Sequence, residues 1–387
     1  VSSPGQAATT ARRRDLDVVR GLAVVLALGW HFARKPTGVP PLTWAAAPGG
    51  SFGWAGVDLF FVLSGFLIGR LVLTETRRTG RFDGWRFSVR RAFKLWPVLY
   101  LYLVVQAVAG TDRPGDTSGP LWSNVVHLQN YLGTPVPHLW SLAVEEQFYL
   151  AVALLLPLAA RRRVRPRTVA AVLGTVLAVA LALRVWATAR GWGAVDLQWQ
   201  TQFRADSLAA GVLLAWAEVH RPDAFDALRR RRVPLLAVVA GGTAWLAVVS
   251  KASPWGMTAG YTVAWVWAAA ILLLVLDARW VARAGWVSRP MAALGRNSYG
   301  IYVWHVLAAQ LAIEALGRDY TDGGGVNLVV KYAAALVVGV VATQLVERPS
   351  LWLRDRLLPG RTRPQTKADS PVTERPTMSV FISRVPS

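Results

Sequence analysis

The apolar residues of this chain fall in long blocks, near 16–34, 54–74, 92–110, 138–160, 168–186, 203–219, 233–250, 258–277, 296–317 and 327–347. Each block is roughly 17–25 residues, the length a helix needs to cross a hydrocarbon core of about 30 Å. A helix that is apolar on every side must be covered by protein or by lipid. Protein cover is not available here. Hydrophobic residues make up 53% of the chain and charged residues only 17%, against about 25% in soluble domains. The expected fold is therefore all-α, a polytopic transmembrane helix bundle of about ten spanning helices.

A net charge of +21 invites a nucleic-acid reading. The placement of the charge argues against one. Of the 43 Lys and Arg residues, 31 lie in the N-terminal segment, in the connections near 75–95, 161–167, 220–232 and 278–290, and in the tail. The alternate connections, counting Arg34 at the edge of the first block, hold 6, and the other 6 lie inside blocks. Such alternation is the orientation signal of a membrane protein, with the basic side toward the cytoplasm. Both termini are then expected in the cytoplasm and the bundle in the plasma membrane. The expected organisation is a cytoplasmic segment at 1–13, a transmembrane domain at 14–350 and a polar, disordered cytoplasmic tail at 351–387. The first ten residues lack the apolar core of a signal peptide, so the first block is read as a retained anchor. The chain has no cysteine, which excludes disulfides, thiolate nucleophiles and Cys metal sites.

Ionisable residues inside spans are costly and are functional-site candidates by default. The first block carries Asp17, Arg20 and His31. Arg20 and His31 are eleven positions apart, about 20° short of or beyond whole turns, with a rise of about 16 Å. They share a face, one above the other. Asp17, three positions before Arg20, can pair with it. Asp58, near the start of the second block, reaches a depth similar to that of His31. A carboxylate beside an imidazole orients a general base, and it is equally the arrangement of an ordinary buried ion pair.

Further along, Arg90, Arg91 and Lys94 stand at the mouth of the third block. They read either as positive-inside residues or as a phosphate clamp. Glu145 and Glu146 are adjacent and point about 100° apart, so at most one faces a given site. Arg204 and Asp206 begin the sixth block, and Ser298, Tyr302 and His305 form one stripe of the ninth. Zinc-type His pairs, phosphate-cradling glycine loops and strained nucleophile turns are missing from the sequence, so no metal is expected.

Five blocks resemble the acyltransferase family 3 of membrane O-acyltransferases, in family order from about residue 14 to 350. They are Leu16-Asp17-Val18-Val19-Arg20-Gly21-Leu22-Ala23 with His31, Gly56 through Ile68, Trp140 through Tyr149, Leu294 through Tyr302 with His305, and Val346-Glu347-Arg348-Pro349. The resemblance implies about ten helices, an acyl-CoA donor reached from the cytoplasm, with acetyl-CoA as the expected form, and transfer to a hydroxyl, often of a sugar. The family's pattern of a basic residue, ten positions and a His matches Arg20 and His31. Its Arg-Arg-x-x-Arg pattern matches Arg90 and Arg91, with Lys94 in the last place, which keeps the charge and loses the bidentate fork. Some members add an extracytoplasmic hydrolase-like domain. The tail is too short for one, so the membrane domain or a separate protein is expected to acylate the acceptor.

The expected machinery follows. Arg20, Arg90, Arg91 and Lys94 hold the CoA phosphates, and the pantetheine arm runs along the first helix. His31, oriented by Asp58, removes the acceptor's proton, and Glu145 positions the acceptor. Ser64 or Tyr302 stabilises the oxyanion, and Arg204 and His305 are further substrate candidates. The acceptor is a cell-envelope carbohydrate or, alternatively, a macrolide-type metabolite. A membrane transporter or proton-coupled carrier is the non-enzyme alternative, since intramembrane His, Asp and Arg also mark those.

Overall fold

The computed structural model describes residues 4–109, 119–278, 281 and 283–359. Among the described residues there is no strand. Lipid leaves a backbone no outside partner, so each segment satisfies its own hydrogen bonds as a helix. The helices are α1 (Pro4–Phe32), α2 (Pro40–Phe52), α3 (Gly56–Thr79), α4 (Gly84–Ala109), α5 (Gln129–Leu132), α6 (Trp140–Arg161), α7 (Pro166–Ala189) and α8 (Ala194–Trp199). They continue as α9 (Thr201–His220), α10 (Pro222–Arg230), α11 (Arg232–Val248), α12 (Tyr261–Val275), α13 (Gly285–Arg296), α14 (Ser298–Ala315), α15 (Gly325–Ala342) and α16 (Arg348–Leu357).

Six helical segments are long and apolar enough to cross a membrane: Pro40–Thr79, Gly84–Ala109, Pro137–Ala159, Pro166–Ala189, Gly256–Val275 and Gly325–Leu357. A seventh arises if α10 and α11, bent by 67° at their junction, form one span. The expected ten spans are not confirmed. A helix does stand at each of the ten expected positions, but α1, α9 and α14 fall short as spans. The reason is chemical. Helix α1 holds Asp15, Asp17 and Arg20, α9 holds Arg204, Asp206 and Glu218, and α14 contains His305, Gln310 and Glu314.

Helix α1 begins at Pro4, inside the segment expected to precede the bundle, and α16 carries helix past residue 350 to Leu357. The rest of the expected tail, 360–387, lies outside the described residues.

Helix α1 runs between two apolar clusters. Its Val19, Ala23 and Leu26 pack with α3 and α12, and its Val24, Ala27 and Leu28 pack with α4, α14 and α15. The remaining face, carrying Arg20 and His31, lies along the seam. Helices α3 and α9 run parallel in close contact. A side chain at Gly65 would come within 2.1 Å of the Leu208 carbonyl, and one at Gly211 within 2.1 Å of the Val62 carbonyl. Only glycine permits that approach.

Candidate active site

Two chambers open off the seam, one at each end of the Arg20–His31 face. The first, about 110 Å³, lies at the basic end, and Arg20, Arg91 and Lys94 bring three cations to its wall. Arg20 donates to Asp17 at 2.7 Å, as their spacing predicts. Arg91 lies over the Tyr149 ring at 4.6 Å. Deeper in, Ser64, Glu145 and Tyr149 also line the wall. The Tyr149 hydroxyl donates to Glu145 Oε1 at 3.1 Å and lies 2.7 Å from Ser64 Oγ. With the tyrosine proton on Glu145, Ser64 is the donor of that second bond.

The second chamber, about 100 Å³, lies at the opposite end. His31, His138, Gln198 and four indoles, those of Trp30, Trp54, Trp140 and Trp199, line it. Val57 and Tyr302 border both chambers. The Tyr302 hydroxyl donates to the His138 carbonyl at 2.8 Å and accepts from Ser141 Oγ at 2.6 Å. Those bonds hold the phenol as a fixed post between the two spaces. The hydroxyl protons of Ser64 and Tyr302, both expected as oxyanion donors, are thus already engaged.

His31 is one corner of a three-histidine cluster. Its ring centroid lies 4.9 Å from that of His305 and 6.4 Å from that of His138, and the last two are 5.0 Å apart. His31 is exposed to its chamber, whereas His138 and His305 are buried. His305 Nδ1 sits 2.6 Å from the Tyr302 carbonyl, so Nδ1 carries the proton and donates it there. Its Nε2 is then a bare acceptor, buried without a partner. His138 Nε2 donates to the Val303 carbonyl at 3.1 Å.

The structure corrects four expectations. Asp58 does not orient His31. Its Oδ1 accepts from Arg204 and from Ser207 Oγ, each at 2.7 Å, and its Oδ2 has no hydrogen-bond partner. Depth along the helix axes put His31 and Asp58 level, but α9 lies beside α3 and offers the stronger, charged partner. Arg204 is accordingly buried in that ion pair and lies 3.8 Å over the Tyr261 ring, outside both chambers. Arg90 points away from the first chamber, to Asp355 at 3.1 Å and to the Leu358 carbonyl of the segment after α16. Glu145, expected beside the acceptor, lies with the cations. Arg20, Arg91, Lys94, Ser64 and Tyr302 do share one chamber, and His305 does reach His31.

A second buried pair went unread in the sequence. Arg184 of α7 meets Asp206 at 2.8 Å and also donates to the Phe203 carbonyl at 2.6 Å. His138 was likewise missed, although it lies in the 3-10 turn Pro137–Leu139 that leads into α6. Lys251, between α11 and α12, lies at the rim of the second chamber. Its ammonium sits 5.2 Å from the Trp30 ring and 5.8 Å from the Trp54 ring, and donates to Gln198 Oε1. Burial, reinforced by the Arg204 and Arg34 charges and opposed by Asp58, brings its pKa down to about 7.

Residues 13–348 match the family described as acyltransferase domain. The chain is 26% identical over 367 residues to the peptidoglycan O-acetyltransferase OatA of Listeria monocytogenes, covering 87% of this chain and 55% of that protein. It is 26% identical over 313 residues to the O-acetyltransferase OatA of Staphylococcus aureus, covering 75% and 49%. It is 28% identical over 377 residues to a Komagataeibacter xylinus protein named provisionally as the membrane-bound transacylase BcsY, covering 89% and 84%. The chain thus spans about half the length of the O-acetyltransferases it matches. No solved structure matches it.

Proposed function

This chain belongs to the acyltransferase domain family, and from that premise we propose that it is an integral membrane O-acyltransferase, moving an acetyl group from acetyl-CoA to a hydroxyl of a cell-envelope carbohydrate. The observation that carries the reading is the sharing of Val57 and Tyr302 by the two chambers. The two spaces adjoin at these residues, and together they reach from three cations to an exposed imidazole. The distance, about 16 Å from Arg20 to His31 by helical rise, suits a pantetheine arm. The O-acetyltransferase relatives supply the acetyl group and the carbohydrate.

The basic end faces the cytoplasm in this reading, as the charge asymmetry requires. Arg20, Arg91 and Lys94 hold the CoA phosphates, with Arg91 able to offer a bidentate fork. The arm passes Ser64, Glu145 and Tyr149, and the thioester arrives at the Val57–Tyr302 constriction. The acceptor hydroxyl comes from the second chamber. His31 takes its proton as the oxygen attacks the thioester carbon. The new C–O bond forms, the C–S bond breaks, and the departing CoA thiolate takes the proton from His31. His305 replaces Asp58 as the positioning residue. Its Nε2 has no partner in this structure and is free to accept from the N–H of His31, 4.9 Å away ring to ring, when the acceptor's proton is taken up, which leaves the other nitrogen of His31 to the chamber.

The test is turnover by the purified chain in nanodiscs, with acetyl-CoA and a panel of glycans and macrolides. Release of CoA with acetylation of a glycan is the expected result. A well-folded His31→Ala variant that retained full transfer would overturn the mechanism. Acetylation of macrolides alone would move the acceptor to that class, and solute flux without CoA release would make the protein a transporter.

A further inference from the structure

The second chamber has a composition that proton transfer alone does not require. Four indoles line a space of about 100 Å³. Trp54 is 5% exposed, and its Nε1–H is buried without a partner. An indole offers a flat apolar face together with one strong donor, which suits a pyranose ring with its apolar C–H face and its hydroxyls. Gln198 adds an amide to the same wall.

Lys251 completes the pattern at the rim. Among the described residues it forms no salt bridge, and Gln198, a neutral amide, is its hydrogen-bond acceptor. The other charged or titratable groups near it are Arg204, Arg34 and Asp58, with His31 in the same chamber. Asp58 already accepts from Arg204 and Ser207. A largely desolvated ammonium between two indoles, with no carboxylate of its own, is costly unless a ligand supplies the anion.

We propose that the second chamber binds a pyranose carrying an anionic group, with the indoles against the sugar ring, the Gln198 amide N–H on a hydroxyl and the Lys251 ammonium on the anion. This rests on the reading that the His31 chamber receives the acceptor, and it narrows that acceptor to acidic sugars. A carboxylate and a phosphate share the chemistry Lys251 requires. An anion also restores the ammonium form of Lys251, so the preference for acidic sugars is largest below its pKa and shrinks as the pH rises well above about 7.

The experiment measures binding, so that it stands apart from turnover. Methyl β-D-glucuronide, D-glucose 6-phosphate and the neutral methyl β-D-glucoside are titrated by saturation-transfer NMR against the full chain in nanodiscs. The proteins are the natural chain, Lys251→Gln and Lys251→Arg, at about pH 6 and about pH 9, on either side of the lysine's titration. At the lower pH, at least one acidic sugar is expected to bind about tenfold tighter than the glucoside to the natural chain and to Lys251→Arg, and less than about twofold tighter to Lys251→Gln. The acid that shows the preference identifies the anion. Equal binding of all three sugars to the natural chain, no binding of any, or an unchanged preference in Lys251→Gln overturns the proposal. CoA release measured on the same samples separates the two readings. A Lys251-dependent preference without acetyl transfer leaves the sugar site standing and removes the transferase.

Discussion

The rings of His31 and His305 meet edge-on, with centroids 4.9 Å apart and planes at 62°. His305 has committed Nδ1–H to the Tyr302 carbonyl, so only its bare Nε2 is left to interact with His31. A base whose tautomer is set by a neutral imidazole differs from one set by a carboxylate, because no negative charge stabilises the imidazolium. His305→Ala is expected to lower kcat by about 10²-fold, at the low end of the effect of losing acid–base catalysis. KM for acetyl-CoA should stay within about twofold, because the donor's charges lie at the far end. The pH–rate profile should shift as well. A kcat loss with an unchanged profile would reduce His305 to a packing role.

Asp58 and Arg204 test whether the buried pair serves the fold. Both are essentially inaccessible, at 0% and 1% of side-chain surface. Asp58→Ala leaves the guanidinium unpaired and is expected to cost about 3–5 kcal/mol, read as a fall in thermal midpoint in detergent. The double change Asp58→Leu with Arg204→Met should recover most of that loss, since no buried charge is left alone. Recovery of stability without recovery of transfer would give the pair a further role in the reaction.

Arg91 and Arg90 stand side by side in the sequence but face different surroundings. Arg91 lines the first chamber, whereas Arg90 binds Asp355 and the segment after α16. Arg91→Ala is expected to raise KM for acetyl-CoA about tenfold or more, the scale of one charge-assisted hydrogen bond. The effect should nearly vanish with acetyl-pantetheine, which lacks the nucleotide phosphates. Arg90→Ala should leave KM within about twofold and lower thermal stability slightly, as for an exposed ion pair. Equal KM effects of the two variants would contradict the separation.

His127 is expected to contribute to acid sensitivity. It lies between α4 and α5, 8% exposed, with its ring stacked on Trp96, and burial holds its pKa down to about 4. The unfolded chain binds that proton near pH 6.5, so between about 6.5 and 4 it holds more protons than the folded chain. Stability is therefore full above about pH 6.5 and falls as the pH drops toward 4, by on the order of 3 kcal/mol. His127 has a positive φ of 56°, a conformation asparagine tolerates. His127→Asn should keep the turn and remove this component of the pH dependence. An unchanged thermal midpoint of the natural chain from pH 7 to 4 would refute it.

Helical content and the positions of the ten long apolar helices were legible because apolar block length is a local property, whereas α2, α5, α8, α10, α13 and α16, shorter or more polar, were not. The number of spans was less legible. By length and apolarity six or seven segments suffice to cross a membrane, and α1, α9 and α14 fall below that mark on the polar residues Asp15, Asp17, Arg20, Arg204, Asp206, Glu218, His305, Gln310 and Glu314. The face shared by Arg20 and His31 was legible too, because both lie on one helix and 3.6 residues per turn relates them. So was the stripe of Ser298, Tyr302 and His305. What failed was pairing between helices. His31 and Asp58 are level along the axis, yet axial depth says nothing about which neighbour lies on which side.

The sequence by itself determined an all-helical chain with a basic end, and a cationic residue and an imidazole on one helical face, because these follow from hydropathy, charge and helical periodicity. Only the tertiary structure decided that Gly65 and Gly211 bring α3 against α9, which gives Asp58 to Arg204. The tertiary structure alone also surrounded His31 with His138 and His305, turned Arg90 outward and Arg91 inward, and gathered four indoles with Lys251 at the opposite mouth. Those outcomes depend on the azimuth of one helix about another. Azimuth is set by side-chain packing across interfaces between residues far apart in the chain, 274 positions for His31 and His305, and no local pattern in the chain encodes it.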